Sequence, residues 1–182
     1  MAENWTKTEI KRSHREWRRR TTRSLAVVLD GLSTPYNVGA IIRTAAALGL
    51  DRMYFAGSTP TVSDPKVKKL SLGTQRHIAM VTDCTVTEAL DDARRAGFRP
   101  VALELARGAE PLFSSDRLTD SDVALVIGNE AHGLSKDAQA GCVDRVFVPM
   151  IGNVASLNVS TAFAVAAYEC RRRDWAADDV ER

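Results

Sequence analysis

Cysteine is scarce in this 182-residue chain: Cys84, Cys142 and Cys170 are far apart and odd in number. That pattern excludes a disulfide framework and a thiolate zinc site, which need paired or closely spaced thiols. A reducing cytoplasm is therefore the expected setting, and no metal is expected. Long apolar runs are lacking too. None approaches the ~20 residues that span a bilayer, so no membrane partner is expected. The first residues are charged without an apolar stretch and do not read as a secretory signal. Neither GxxxxGK[ST] nor GxGxxG occurs, which removes two familiar phosphate-binding loops. The order of residues suggests no Ser-His-Asp triad, and there is no internal repeat.

What is present is an ordinary globular composition, 45% apolar and 26% charged, in a length suited to one well-buried domain. Net charge is only +2, but residues 7–23 hold eight Lys or Arg against two Glu, a net of +6, which leaves −4 for the rest. One locally strong positive arm is thus hidden in a near-neutral total.

Residues 1–23 read as a basic helical arm carrying Trp5, Ile10 and Trp17. Beyond it, short apolar runs predict strands at 25–29, 52–56, 78–81, 100–105, 123–127 and 146–148. Helical patterns fall at 38–48, 86–96, 135–140 and 158–172, several stopped by glycine. Strands alternating with helices predict an α/β fold, a mainly parallel sheet with helices on both faces. Continuous rather than alternating apolar strands fit burial on both sides. The expected divisions are the arm at 1–23, one domain at 24–173 and a tail at 174–182.

Three segments could carry chemistry. In DGLSTPYNVGAIIRT, residues 30–44, a strand end passes to a helix; Asn37 is placed to cap it, and Arg43 is either a solvated helix residue or a group that holds a phosphate or carboxylate with its planar fork. In VIGNEAHGLS, residues 126–135, Gly128 allows close backbone approach at a strand end, and Asn129 and Glu130 follow. Glu130 could equally cap the next helix, and His132 reads as a surface loop residue. In residues 146–168, a strand breaks into a loop and reopens as a small-residue helix. Ser156 and Asn158 stand at that opening, either as N-cap and early helix residue respectively or as ligand contacts, the place where α/β proteins tend to hold ligands.

The order and content of these segments resemble the three motif regions of the SpoU, or TrmH, branch of the SPOUT RNA methyltransferases. The first match is Asn37-Val38-Gly39-Ala40-Ile41-Ile42-Arg43-Thr44, the second runs from Ala124 to Leu134, and the third joins Val148-Pro149-Met150 to Ser156-Leu157-Asn158-Val159-Ser160. The resemblance covers about residues 25–172.

It implies a C-terminal deep trefoil knot, a homodimer, and transfer of methyl from S-adenosylmethionine to a ribose 2′-hydroxyl of RNA. Its site would comprise Arg43, Asn37, Glu130, Ser156 and Asn158 for catalysis. The cofactor would contact Leu103, Glu104, Gly108, Gly128, Asn129, Val148, Met150, Ile151 and Leu157. Lys11, Arg12, Arg15, Arg18, Arg19 and Arg20 of the arm could contact RNA phosphates. Trp17 could stack on a base or dock the arm. The short arm and tail favour tRNA as substrate, with a compact rRNA enzyme and a non-catalytic RNA-binding module as alternatives.

Overall fold

A computed structural model describes residues 4–119 and 121–180. Helix α1, Lys7–Arg20, leads into strand β1, Leu25–Asp30. There follow α2, Pro35–Ala47; β2, Arg52–Ala56; α3, Pro65–Ser71; β3, Ala79–Cys84; α4, Val86–Arg95; and β4, Arg99–Leu103. A two-residue β5, Glu110–Pro111, precedes β6, Val123–Gly128; α5, Lys136–Gly141; β7, Asp144–Phe147; and α6, Val159–Val180. The strands make a seven-stranded sheet in the order β3-β2-β1-β6-β4-β7-β5, with every pairing parallel.

Side chains alternate between the two faces of the central strands. Leu25, Val27 and Leu29 of β1 join Ile41 and Ile42 of α2 and Phe163, Ala166 and Ala167 of α6. Ala26 and Val28 join Ala89 and Leu90 of α4 and Ala138 of α5. Both faces of β1 and β6 are therefore covered, and every residue of both strands is buried, which is the reason their sequences are apolar without alternation up to Asp30 at the carboxyl end of β1.

Three local differences from the sequence expectation have clear causes. Helix α2 starts at Pro35, with Thr34 as its N-cap, rather than at residue 38; proline suits the first helical position because its missing N–H has no intrahelical use. Asn37 is consequently inside the first turn and is not the cap. Helix α3 forms in a stretch that reads as loop, because Asp64 accepts a hydrogen bond from Lys66 N at 2.7 Å and Pro65 opens the turn. It lies tight on α2: a Cβ added at Gly39 would stand 2.4 Å from Leu70 Cβ.

The third difference is at the end of the chain. Helix α6 continues past residue 172 to Val180, so residues 174–180 prolong it rather than form a tail; residues 181 and 182 lie outside the described residues. What holds it is the arm. The Trp17 and Trp175 rings lie 4.7 Å apart, and Trp175 Nε1 donates to Thr21 Oγ1 at 2.9 Å. Asp174, 1% exposed, accepts from Thr22 Oγ1 at 2.6 Å and from Thr22 N at 3.1 Å. It also faces buried Arg171 at 3.7 Å, whose Nε and Nη2 donate to Leu48 O and Gly49 O at 3.0 and 2.9 Å. One stretch of α6 thus fastens the arm, the entry to β1 and the end of α2.

Candidate active site

β4, β6 and β7 end at the carboxyl edge of the sheet, where parallel α/β folds bind ligands. The loops leaving them, with residues 155–158 and the first turn of α6, enclose a cleft of about 540 Å³.

The loop after β6 is rigidly built. A Cβ on Gly128 would lie 2.2 Å from the carbonyl carbon of Gly133, so only glycine fits. Asn129 and Gly133 exchange two backbone hydrogen bonds, each 2.9 Å. The Asn129 side chain donates to Gly31 O at 2.8 Å and accepts from Ala131 N and His132 N at 2.9 and 3.2 Å. Glu104 accepts from Leu134 N at 3.1 Å, and Asp30, at the end of β1, accepts from Ser135 N at 2.7 Å. Every turn of this loop is tied to a neighbouring strand end.

Glu130 points out of this loop into the start of α2. Its Oε2 accepts from Ser33 N and Ser33 Oγ, both at 2.9 Å, and its Oε1 accepts from Thr34 N at 3.1 Å and Asn37 Nδ2 at 2.8 Å. The carboxylate does for α2 what its own N-cap does not, since the Thr34 side chain makes no cap bond. A negative charge here also meets the positive end of the helix dipole. Burial raises the Glu130 pKa, but the hydrogen bonds from Ser33 and Asn37 outweigh it and hold the carboxyl at about 2.

Asn37 carries the connection onward. It is 5% exposed, and its Oδ1 accepts from Asn158 Nδ2 at 3.0 Å. Asn158 Oδ1 in turn accepts from Ser160 N at 2.9 Å and Thr161 N at 3.3 Å, which makes it the cap of α6. The cap of the last helix is therefore Asn158 and not Ser156. A continuous chain of donors runs from the start of α6 through Asn158 and Asn37 to Glu130 and the start of α2, uniting all three motif segments.

Of the cofactor residues expected from sequence, Leu103, Glu104, Gly128, Asn129, Val148, Met150 and Leu157 line the cleft, together with Glu130, Ser156 and Asn158. Gly108 and Ile151 do not. Gly108 sits in an exposed turn at φ 78°, and Ile151 projects fully into solvent. Arg43 also stands outside the wall, exposed on α2, without a hydrogen bond or ion pair among the described residues. On the arm, Lys11, Arg12, Arg15, Arg18 and Arg19 are exposed. Arg20 is not offered to a ligand in the same way: its guanidinium lies 4.7 Å from the Trp17 ring centre, and Nη2 donates to Trp175 O at 3.3 Å. The sequence reading did not single out Ser33, Thr34 or Asp30, although Ser-Thr-Pro ahead of an apolar-periodic run is itself a helix-start signal.

The chemistry available follows from these commitments. Glu130 is a poor proton acceptor, with both oxygens hydrogen-bonded and a pKa of about 2. It is a positioning group for α2 and Asn37. Ser156 is exposed in the cleft wall, with no hydrogen bond from its hydroxyl among the described residues. Among those residues there is no group of three or more His, Cys, Asp or Glu able to hold a metal, and no helix is long and apolar enough to cross a membrane.

A parallel α/β sheet with a cleft at its carboxyl edge, walled by strand ends and a helix start, defines a domain for a nucleotide-sized ligand. The model of the SpoU rRNA Methylase family matches residues 24–168, and the chain belongs to that family. A TrmH family tRNA/rRNA methyltransferase of Staphylococcus haemolyticus is 31% identical over 150 residues, 82% of this chain and 59% of its own length. The chain thus spans about three fifths of that curated relative. The SpoU methyltransferase AviRb of Streptomyces viridochromogenes, solved in complex with AdoMet, superposes with a TM-score of 0.76 at 32% identity, covering 87% of this chain and 64% of that one. A protein solved in work on the 2-OH methylation of C/U34 on tRNA gives a TM-score of 0.71 at 32% identity, covering 83% of this chain and 96% of that one.

Proposed function

We propose that the protein is an S-adenosylmethionine-dependent RNA methyltransferase acting on a ribose 2′-hydroxyl, with tRNA as the favoured substrate. The observation that carries this reading is the Asn158–Asn37–Glu130 chain, in which Asn37, outside the cleft lining, joins two wall residues and so links the family's three motif segments.

The residues present fit the cofactor. The cleft volume of about 540 Å³ lies within the range of small-molecule sites. Gly128 keeps its floor flush, and Leu103, Val148, Met150 and Leu157 give it apolar walls. Bound there, S-adenosylmethionine supplies a methyl group already activated on a sulfonium.

The remaining demand is to align a ribose hydroxyl and favour loss of its proton. Ser156, with its free hydroxyl, and Asn158, held by Asn37, are the polar groups at the mouth. Arg43 stays protonated to above pH ~12 and so acts as an electrostatic stabiliser of the developing alkoxide and of the adjoining phosphate. Because Arg43 does not line its own chain's cleft, the RNA or a second protomer must bring it to the reacting groups. A homodimer is part of this reading, supported by exposed Ile151 and Val154 in the loop before α6 and exposed Tyr168 on α6. The trefoil knot is supported by family membership, and a reducing cytoplasm by three free thiols.

The tRNA preference draws on the compact relative tied to C/U34 of tRNA, whose length this chain nearly fills. An rRNA target is the second reading, favoured by the description of the family itself. Calorimetric titration with S-adenosylmethionine tests the cofactor, and mapping 2′-O-methylation in total RNA with and without the gene tests the reaction. Absence of cofactor binding, or identical methylation maps, would overturn the proposal.

A further inference from the structure

Residues 65–82 contain four Lys or Arg, namely Lys66, Lys68, Lys69 and Arg76, and no Asp or Glu. All four are exposed. None of their side chains makes an ion pair or hydrogen bond among the described residues. Several cations elsewhere on the sheet domain are paired: Arg52 with Asp92 at 2.8 Å, Arg117 with Asp144 at 2.7 Å and Arg172 with Glu169 at 2.7 Å. The nearest preceding carboxylate, Asp64, is occupied in capping α3. Positive charge on α3 and the following turn is therefore left without internal partners.

The fold sets this charge beside Arg43. Helix α3 meets α2 at the contact of Leu70 with Gly39. Arg43 is four residues on from Gly39, one turn along the same row of α2. The short 3₁₀ turn Thr74–His77, which carries Arg76, also packs on α2. Arg43 and the four cations consequently border one solvent-facing surface, separate from the α1 arm.

We propose that this α2–α3 face is a second RNA-binding surface, on which Lys66, Lys68, Lys69 and Arg76 hold backbone phosphates of the substrate and guide it towards Arg43. This rests on the reading of the protein as an RNA methyltransferase. The occupant is a polyanion by charge complementarity. Three of the four are lysines, whose ammonium groups give point contacts to phosphates, so the contribution is largely independent of sequence.

The test is the full-length triple variant Lys68→Gln, Lys69→Gln, Arg76→Gln. Affinity for bulk tRNA and for an rRNA fragment is measured by fluorescence anisotropy across a potassium chloride series. S-adenosylmethionine affinity, thermal unfolding and sedimentation are followed in parallel. The substituted side chains are exposed, so folding and cofactor affinity stay as in the wild type. RNA binding weakens about tenfold at low salt, and the slope of log affinity against log salt falls by about two. Lys69→Glu alone weakens binding further than Lys69→Gln. Unchanged affinity and slope in the triple variant overturn the inference. So does a change in sedimentation with RNA affinity intact, which would make the face a contact between copies. A wild type that binds S-adenosylmethionine but neither RNA overturns the inference while leaving the cofactor site standing; RNA bound through this face without methyl transfer overturns the proposed reaction instead.

Discussion

Asn158 Nδ2 donates to Asn37 Oδ1 at 3.0 Å, across 121 residues of sequence. The direction of this bond is fixed from the far end. Glu130, ionised, can only accept, so Asn37 must turn its amide nitrogen to Glu130 and its oxygen to Asn158. Asn158 must then present its own nitrogen to Asn37 and its oxygen to the first amides of α6.

That polarity predicts a rescue. Asn158→Asp places an acceptor against Asn37 Oδ1, and flipping Asn37 would set its oxygen against the Glu130 carboxylate. We expect a loss of about 1–2 kcal/mol, with Tm falling by roughly 2–8 °C. In Glu130→Gln the amide can donate to a flipped Asn37, so this substitution costs less in the Asn158→Asp background than in the wild type. Additive thermal shifts in the double-mutant cycle would show that the two ends are not coupled through Asn37.

The Glu130 carboxyl has a folded pKa of about 2 against an ordinary 4.5. A depressed pKa contributes stability that is complete above about pH 5 and is lost as pH falls from 4.5 towards 2. Because Glu130 is exposed as a residue, solvent screening keeps the effect modest. Thermal unfolding scans between pH 2 and 7 should therefore show a shallower acid limb in Glu130→Gln than in the wild type. Above pH 5 Glu130 does not titrate, so no kinetic pKa in that range belongs to it.

Arg43→Lys keeps the positive charge and loses the bidentate fork. With saturating RNA and S-adenosylmethionine we expect turnover to drop by about tenfold to a hundredfold, with cofactor affinity unchanged because Arg43 is outside the cleft wall. Near-full turnover in steady-state methyl transfer would remove Arg43 from the reaction.

Asp174 is 1% exposed and anchors Thr22, Arg23 and Arg171 together. Removing it as Asp174→Ala leaves the buried Arg171 charge without its counter-ion, a change worth about 3 kcal/mol or more. Thermal unfolding should fall by about 6–12 °C, and protease should cut the arm near residues 21–24 faster than in the wild type. Asp174→Asn, which keeps part of the hydrogen bonding, should lose less. Equal cutting of all three proteins would mean that the arm is held without Asp174, through the contacts of Trp175 with Trp17, Arg20 and Thr21.

The sequence by itself determined the parallel α/β architecture, because strands covered on both faces read as continuous apolar runs, and β6 and β1 up to Asp30 at its carboxyl end do. It also determined where the ligand cleft would open, since Gly128 and the Ser156–Asn158 turn mark strand-to-helix transitions whose backbone requirements are local. Other features needed the tertiary structure. Asn37 and Ser156 are both plausible caps when read along the chain, but Asn158 caps α6 and the distant Glu130 serves α2. Hydrogen-bond partners nearly a hundred residues apart leave no periodic signal. Trp17 and Arg20 both belong to the basic arm, and only the approach of Trp175 shows what they pack against. The position of Arg43, on the motif yet outside its own cleft, was decided in the same way: helical spacing gives its face, and only the packing of α2 on α3 and α6 shows what that face meets.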